Sequence, residues 1–266
     1  MSSLSVNHLL GIKGLTEADL RLLFETAEQF KEVINRPIKK VPSLRDITIA
    51  NMFFENSTRT KLSFELAEKR LSADVINFSA SQSSVKKGET LVDTVNNILA
   101  MKVDVVVMRH PHPGAAQYLS ERVDACIVNA GDGTHEHPTQ ALLDAFSLED
   151  KLGDLRGKRI TIVGDIRHSR VALSNIYALQ LLGAKVQLCG PKSLIPKYAP
   201  SLGVTVETDL IKALKGSDAV NMLRVQNERM DLSYFPSTRE YAQLYGLTLD
   251  KLKALKRIDY PSSWAY

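Results

Sequence analysis

Short apolar runs rich in β-branched residues alternate with longer segments of helical periodicity along the whole chain. The first half contains four such runs, "DITIANMFF", "DVINFSA", "VDVVVMRH" and "DACIVNAG", and the second half contains "RITIVGDI", "AKVQLCGP", "VTVETD" and "DAVNMLRV". Segments with apolar residues three and four positions apart, such as "EADLRLLFETAEQFKEVI" and "RVALSNIYALQLLG", separate them. Strands that alternate with helices of this length predict an α/β fold, with parallel sheets that carry helices on both faces.

A longer helix-like stretch divides the two series of strands. The segment "PTQALLDAFSLEDKLG" has Pro138 in its first turn and ends at Gly153, which is the punctuation typical of a helix. We therefore expect two α/β domains, at residues 1–136 and 153–266, joined by a long helix at residues 137–152.

Composition excludes several classes of protein. The 266 residues include 34 basic and 30 acidic side chains, and the scattered net charge of +4 argues against nucleic-acid binding but suits a small anionic substrate. No run approaches the ~20 apolar residues that cross a bilayer, and "MSSLSVNHLLGIKG" lacks the features of a signal peptide. Cys126 and Cys189 lie in apolar runs, so we expect two buried, reduced thiols in a cytoplasmic protein without a membrane partner.

The turn after the first strand concentrates hydroxyl and guanidinium groups. In "ENSTRTKLSFE", Ser57, Thr58, Arg59 and Thr60 stand between that strand and the next helix. Ligands of open parallel sheets bind beyond the carboxyl ends of the strands, where a helix N-terminus offers N–H groups and the positive end of its dipole. An arginine can bind two phosphate oxygens at once. We therefore predict a phosphate cradle at residues 57–60, although a helix cap alone would need only one of these side chains.

Three further polar clusters follow apolar runs of the first half. Arg109 ends "VVVMRH", His137 and Gln140 lie in "GTHEHPTQ", and Lys86 and Lys87 lie in "SVKKGET". Taken singly, the cations are typical of a solvated surface, and His137 is equally typical of a satisfied histidine at a helix start. Because the carboxyl ends of parallel strands meet at one edge of a sheet, we expect these groups to converge on the phosphate cradle.

The second half places arginines at equivalent positions. The segment "TIVGDIRHSRVALS" leads from a strand into a helix with Arg170, and "NMLRVQNER" ends another strand with Arg224 and Gln226. Arginines at strand ends suit the carboxylates of a second substrate. A dinucleotide-binding turn is the weaker interpretation, because "VGDIRHSR" lacks the glycine triplet and has bulky Arg167 and His168 where the backbone must approach the ligand. We expect the cations of both halves to face one crevice.

Six segments together carry a family resemblance: "FFENSTRTKLSFE", "KKGET", "VMRHP", "NAGDGTHEHPTQALLD", "VGDIRHSRVALS" and "MLRVQNER". Their order and spacing resemble those of aspartate carbamoyltransferases, and the resemblance extends to about residue 255. "STRT" and "HPTQ" are shared with the wider carbamoyltransferase family, including the ornithine enzymes. The lysine pair before "GET" and the triplet "RVQ" indicate the aspartate branch.

The resemblance implies transfer of the carbamoyl group of carbamoyl phosphate to the amine of L-aspartate, giving N-carbamoyl-L-aspartate and phosphate, a step of pyrimidine biosynthesis. It implies no metal and no other cofactor, because carbamoyl phosphate carries its own leaving group. The catalytic residues that it implies are Arg59, Thr60, Lys87, Arg109 and His137. The implied carbamoyl phosphate-binding residues are Ser57, Thr58, Arg59, Thr60, Arg109, His137 and Gln140. The implied aspartate-binding residues are Lys87, Arg170, Arg224 and Gln226.

On the carbamoyl phosphate side, the family pattern assigns a separate task to each group. Residues 57–60 and Arg109 are implied to hold the phosphate. Thr60, Arg109 and His137 are implied to polarise the carbamoyl oxygen, with the histidine acting as a hydrogen-bond donor rather than a base. Gln140 is implied to orient the carbamoyl NH₂ group.

On the aspartate side, Arg170 is implied to bind one carboxylate, and Arg224 with Gln226 the other. Lys87 resembles the family's lysine that reaches both substrates from the neighbouring subunit of a trimer. The resemblance therefore implies a homotrimer with active sites shared between subunits. It is also compatible with a separate regulatory chain, which the sequence does not reveal.

The chain departs from the family pattern near its C-terminus. Members of the family continue, after a segment like "LDKLKAL", with a His-Pro-x-Pro motif and a helix that returns to the first domain, whereas this chain continues "KRIDYPSSWAY". We therefore expect a truncated or frame-shifted product that lacks a strand of the second domain and the returning helix. A weakly active or non-catalytic remnant that binds only phosphate or carbamoyl phosphate is one alternative function.

Two other functions remain open at this level. A carbamoyltransferase for another amine, such as ornithine, would share the phosphate cradle, although the cationic "RVQ" segment and Arg170 favour an acidic acceptor. A metal-dependent hydrolase would use the histidines of "HPH" (110–112) and "HEH" (135–137). Neither pair has the i, i+4 spacing of a helical zinc site, and no third ligand is evident.

Overall fold

The computed structural model describes residues 3–79, 90–226 and 237–253, and the chain divides into two compact units, Met1–Thr139 and Gln140–Tyr266. Each unit contains a four-stranded sheet in which all pairings are parallel. The predicted α/β fold with two parallel sheets is confirmed. The predicted domain limits at 136 and 153 stay a prediction. The predictions for residues 86 and 87 and for the chain after residue 253 lie outside the described residues.

The first unit follows the strand and helix pattern of the sequence. Its elements are α1 (Glu17–Ile34), β1 (Thr48–Phe53), α2 (Thr58–Arg70), β2 (Asp74–Ser79), α3 (Leu91–Leu99), β3 (Val105–His110), α4 (Ala115–Ser120) and β4 (Cys126–Asp132). The sheet has the strand order β2-β1-β3-β4. Both of its faces are covered, because alternate residues of β1 enter two separate apolar clusters. Ala50 and Met52 pack in the cluster that contains residues of α3 and α4, and Ile49 and Phe53 pack in the cluster that contains Phe64 of α2.

The second unit repeats this architecture. Its elements are α5 (Pro138–Leu152), which begins two residues before the unit boundary, β5 (Arg159–Val163), α6 (Arg170–Leu181), β6 (Lys185–Cys189), β7 (Thr205–Glu207), α7 (Leu210–Leu214), β8 (Ala219–Met222), α8 (Thr238–Tyr245) and α9 (Leu249–Leu252). The sheet has the strand order β7-β6-β5-β8. One apolar cluster joins Val163 and Cys189 at the ends of two strands to α7 and to Tyr245 of α8.

Local signals in the sequence set the helix limits. Thr16 and Asp19 form a capping box at the start of α1, with each side chain bonded to the other's backbone N–H. Pro138 is the first residue of α5, where its missing N–H group costs no helical hydrogen bond. Gly153 ends that helix with φ of 71°, a left-handed conformation that glycine adopts without strain.

The expectation of two buried thiols is half wrong. Cys189 is buried at the end of the interior strand β6, but Cys126 is only partly buried. The reason is its position as the first residue of β4, an edge strand, where its Sγ lies 3.2 Å from the carbonyl oxygen of Asn7. Within the described ranges, no helix combines the length and the apolar character needed to cross a bilayer.

Candidate active site

The first sheet places the phosphate cradle at its topological switch point. The chain leaves β1 for β2 on one side and later crosses to β3 on the other, so the carboxyl ends of β1 and β3 flank a crevice. Phe53 is paired with Arg109 in the β1–β3 register, and the N–H of Phe54 donates to the Arg109 carbonyl at 2.8 Å. The segment that follows β1 therefore lies beside the arginine that ends β3.

The cradle begins a helix that no side chain caps. Ser57 occupies the N-cap position of α2 but makes no capping hydrogen bond, and the first turn contains no acidic residue. Its Oγ instead donates to Oγ1 of Thr60 at 2.9 Å. Thr58 and Arg59 are exposed in the same turn. Ser57 therefore does not cap α2 through its side chain, and the helix N-terminus is left available to an anion.

Arg109 is held against the cradle by three neighbours. Its Nη1 donates to Oγ1 of Thr60 at 3.3 Å and to the carbonyl oxygen of Ala130 at 3.1 Å, and its Nη2 lies 2.6 Å from Oε1 of Glu55. Both side chains of the ion pair are largely buried. The structure thus brings Ser57, Thr60 and Arg109 together, as predicted. Glu55, whose carboxylate holds Nη2 of Arg109 in place, was not among the residues predicted from the sequence.

His137 lies at the end of the turn between β4 and α5, and only 8% of its surface is exposed. Oγ1 of Thr139 lies 3.4 Å from its Nδ1. Which of these two atoms donates depends on the tautomer of the histidine.

The same turn is stabilised by Asp132. Its carboxylate accepts from the backbone N–H groups of Gly114 and Glu136 and from Nδ2 of Asn129, and it also pairs with His135. Burial alone would raise the pKa of Asp132, but the hydrogen bonds from His135, Asn129 and Gly114 outweigh burial and lower it. The bond to Asp132 in turn raises the pKa of His135. An ionised aspartate at this position tightens the turn that ends at His137.

The second sheet has an equivalent switch point between β5 and β8. Arg170 follows β5 as the first residue of α6 and is 3% exposed, and Ser169 caps that helix by accepting from the N–H of Ala172. Arg224 follows β8, is exposed, and donates from Nη2 to Oε1 of Gln226 at 3.2 Å. The three predicted aspartate-binding residues of this unit therefore all follow the two strands that flank its switch point.

Asp165 connects the loop that leads to Arg170 with the segment that contains Arg224 and Gln226. It was not among the residues predicted from the sequence. Oδ1 of its buried carboxylate accepts from the backbone N–H of His168 and pairs with Nδ1 of the same histidine. Oδ2 accepts from the backbone N–H of Gln226 at 3.2 Å. Burial raises the pKa of the nearby Tyr241 to about 12, and the charge of Asp165 adds to the shift.

In the first unit, His110 and His135 of the two histidine motifs make local hydrogen bonds. His110 accepts at Nδ1 from the N–H of His112 at 3.0 Å, and His135 is bonded to Asp132. Among the described residues, no three histidine, cysteine, aspartate or glutamate side chains are grouped closely enough to hold a metal ion.

Comparison with known proteins identifies the family. Residues 7–150 match the family model described as "Aspartate/ornithine carbamoyltransferase, carbamoyl-P binding domain". The catalytic subunit of aspartate carbamoyltransferase from Flavobacterium johnsoniae is 73% identical over 257 residues, which are 97% of this chain and 83% of that protein. The chain belongs to the aspartate/ornithine carbamoyltransferase family. The resemblance predicted from the sequence motifs is confirmed.

Solved structures of this carbamoyltransferase family share the fold. Aspartate transcarbamoylase from Trypanosoma cruzi in complex with carbamoyl phosphate superposes with a TM-score of 0.81 at 28% identity, covering 94% of this chain and 82% of that one. The complex of the same enzyme with N-(phosphonacetyl)-L-aspartic acid also has a TM-score of 0.81 at 28% identity, covering 96% of this chain and 83% of that one. These complexes show that the fold accommodates a phosphate group and an aspartate moiety together in that enzyme.

Proposed function

We propose that this chain transfers the carbamoyl group of carbamoyl phosphate to the amine of L-aspartate, giving N-carbamoyl-L-aspartate and phosphate. The observation that carries the proposal is the uncapped start of α2, where Ser57 and Thr60 share a hydroxyl hydrogen bond and Arg109 contacts the same Thr60. Relatives named aspartate carbamoyltransferase at more than 70% identity support the choice of reaction.

In this proposal the cradle binds the phosphate of carbamoyl phosphate. The N–H groups at the start of α2, the hydroxyls of residues 57–60 and the guanidinium groups of Arg59 and Arg109 supply donors to its oxygens. Thr60, Arg109 and His137 donate to the carbamoyl oxygen. Their hydrogen bonds strengthen as negative charge grows on that oxygen in the tetrahedral intermediate.

Aspartate is bound by the cationic residues of the second unit. Arg170 pairs with one carboxylate, and Arg224 with Gln226 binds the other. The fixed position of Arg170 at a capped helix start and the bond between Arg224 and Gln226 support this division. The exposure of Arg224 leaves its guanidinium accessible to a carboxylate.

The reaction needs positioning and charge stabilisation rather than a covalent enzyme intermediate. The aspartate amine attacks the carbamoyl carbon, a C–N bond forms, and the C–O bond to phosphate breaks. The departing phosphate takes the proton that the amine loses, so no separate base is required. The hydrogen-bond donors around the cradle stabilise the charge that accumulates on the phosphate.

We further propose that the protein is a cytoplasmic homotrimer in which each active site receives Lys87 from the neighbouring subunit. This assembly is compatible with a separate regulatory chain. Two apolar side chains one turn apart on α2 support a subunit contact, because Leu62 and Leu66 are 58% and 50% exposed. They lie on the helix that begins at the phosphate cradle. A contact on this face would bring a neighbouring chain to the helix that carries the site.

A product assay tests the proposed reaction. Carbamoyl phosphate labelled in its carbonyl carbon is incubated with the protein and either L-aspartate or L-ornithine, and the products are separated. We expect labelled N-carbamoyl-L-aspartate and no labelled citrulline. Citrulline formation would identify the ornithine alternative. Binding of carbamoyl phosphate without transfer to either amine would identify a non-catalytic remnant and overturn the proposal.

A further inference from the structure

Asp144 has no part in the proposed reaction, but its carboxylate accepts several side-chain hydrogen bonds. It lies four residues after Gln140 on α5, and its two oxygens accept hydrogen bonds from three side-chain amides. Oδ1 accepts from Nε2 of Gln140 at 2.8 Å, and Oδ2 accepts from Nδ2 of Asn175 at 2.8 Å and from Nδ2 of Asn221 at 3.4 Å. These amides come from α5, α6 and β8.

Each of those elements also carries or precedes a residue of the proposed site. Gln140 lies in the first turn of α5, α6 begins at Arg170, and β8 ends two residues before Arg224. One carboxylate therefore ties together three elements that position the proposed substrate contacts. All of these bonds lie within the second unit.

The carboxylate determines which way each amide points. An ionised aspartate only accepts hydrogen bonds, so every amide beside it must present its NH₂ group. For Gln140 this choice directs Nε2 toward Asp144 and leaves Oε1 at the other edge of the planar amide group. Oε1 is an acceptor, and the NH₂ group of a carbamoyl moiety is a donor. The orientation fixed by Asp144 is thus the one that a carbamoyl NH₂ requires.

The arrangement carries costs that packing alone does not explain. Asn175 is 1% exposed, and its Oδ1 is buried with no hydrogen-bond partner among the described residues because its Nδ2 is directed at Asp144. Burial raises the pKa of Asp144, and the bonds from Asn175, Gln140 and Asn221 offset only part of that rise. Unsatisfied buried polar atoms are uncommon in folded proteins, so each one calls for an explanation.

We propose that Asp144 is a positioning residue that fixes the amide of Gln140 with Oε1 as the acceptor for the substrate's NH₂ group. It thereby makes the site selective for carbamoyl phosphate over acyl phosphates that lack this group. The inference rests on the proposed function, because it takes Gln140 as the residue that orients the carbamoyl group. Asp144 itself does not touch the substrate.

Asp144→Asn tests this role with almost no change of shape. The new amide can donate to Oε1 of Gln140 and so turn Nε2 toward the substrate, where two donors would face each other. The probes are carbamoyl phosphate and acetyl phosphate, which has a methyl group in place of the NH₂. We expect Asp144→Asn to weaken carbamoyl phosphate binding about tenfold in calorimetric titrations, the worth of one such hydrogen bond, and to change acetyl phosphate binding less than about twofold.

Two further variants keep the proposal falsifiable. Asp150→Asn makes the same change on the same helix, where Asp150 pairs with Lys151, and should leave the ratio of the two affinities unchanged. Gln140→Leu leaves Asp144 in place and should reduce the ratio of carbamoyl phosphate affinity to acetyl phosphate affinity, as Asp144→Asn does. This variant provides a test if the Asp144 variant fails to fold. The proposal would be overturned if Gln140→Leu kept the wild-type ratio of the two affinities. It would also be overturned if a folded Asp144→Asn protein lost affinity equally for both probes. Wild-type protein that binds neither probe would instead refute the proposed function and this inference with it.

Discussion

At the scale of single residues, Arg59 has an exposed position that allows a clean test of the phosphate cradle. It lies in the first turn of α2 and is exposed, so its removal should change stability little. If it binds the phosphate and its contact strengthens toward the transition state, Arg59→Ala should lower kcat/KM by about 10²–10⁴.

The matched control is Arg36→Ala, which removes an exposed arginine that pairs with Glu32 at 3.7 Å on α1. Steady-state kinetics with carbamoyl phosphate as the varied substrate, together with urea unfolding of both variants, separates activity from stability. Turnover of Arg59→Ala within threefold of wild type would remove Arg59 from the site.

Some residue-level roles were visible in the sequence and others were not. Ser57, Thr60 and Arg109 could be predicted because polar groups at the carboxyl ends of neighbouring parallel strands converge on one edge of the sheet. Glu55, Asp165 and Asp144 could not, because an acidic residue in a loop or on a helix is ordinary until its partners are known. Their role depends on contacts with residues distant in the chain.

At the scale of secondary-structure elements, the close approach of two loops in the second sheet gives a stability prediction. A Cβ on Gly190, directly after β6, would lie 2.5 Å from the carbonyl oxygen of Gly164, directly after β5. Backbone cannot yield as a flexible side chain does, so Gly190→Ala should lower the free energy of unfolding by about 3 kcal/mol. It should also weaken aspartate binding, because Asp165 follows Gly164 and holds Gln226.

Gly153→Ala is the comparison, because a Cβ there meets nothing within 4 Å and only the left-handed backbone, with φ of 71°, resists it. Gly153→Ala should lower the free energy of unfolding by about 1 kcal/mol. Urea unfolding gives both values, and equal costs for the two variants would show that the contact between the loops is relaxed in solution.

We expect the stability of the turn before His137 to depend on pH. Asp132 raises the pKa of His135, so the bond between them stabilises the folded state fully below the unfolded histidine pKa of 6.5. That contribution is lost as the pH rises through the higher pKa of the folded state. Because His135 is 44% exposed, the effect should stay below about 1 kcal/mol.

His135→Gln removes this titration without removing the other histidines. The difference in unfolding free energy between wild type and variant should therefore be larger at pH 5.5 than at pH 8.5. A difference that is constant, or larger at pH 8.5, would contradict the pairing of His135 with Asp132.

The elements were largely predictable, but their order in space was not. Each of the eight apolar runs contains a strand, and "EADLRLLFETAEQFKEVI" coincides with α1, because alternation and helical periodicity are local properties of the chain. The orders β2-β1-β3-β4 and β7-β6-β5-β8 arise from long-range pairing that periodicity does not encode. These orders put Arg109 beside the cradle and put Arg170 and Arg224 after the strands that flank the second switch point.

At the scale of the whole molecule, the exposed apolar pair on α2 tests the proposed trimer. Leu62→Glu places a charge on a face that we propose is buried between subunits, so it should convert a species of three 29.5 kDa chains into monomers and lower activity. Leu249→Glu changes a leucine that is 72% exposed on α9 and should leave the assembly intact. Light scattering measures both masses. An unchanged mass for Leu62→Glu would place the subunit contact elsewhere.

The central proposal is that cations of the first unit bind the phosphate group and cations of the second unit bind aspartate. Calorimetric titration with N-(phosphonacetyl)-L-aspartic acid tests it most directly, because this molecule joins a phosphonate to aspartate. We predict that wild type binds it at least ~10³-fold more tightly than phosphate or aspartate alone, and that Arg59→Ala and Arg224→Ala each weaken its binding. An affinity no better than that of phosphate, or a loss in only one of the two variants, would contradict the account.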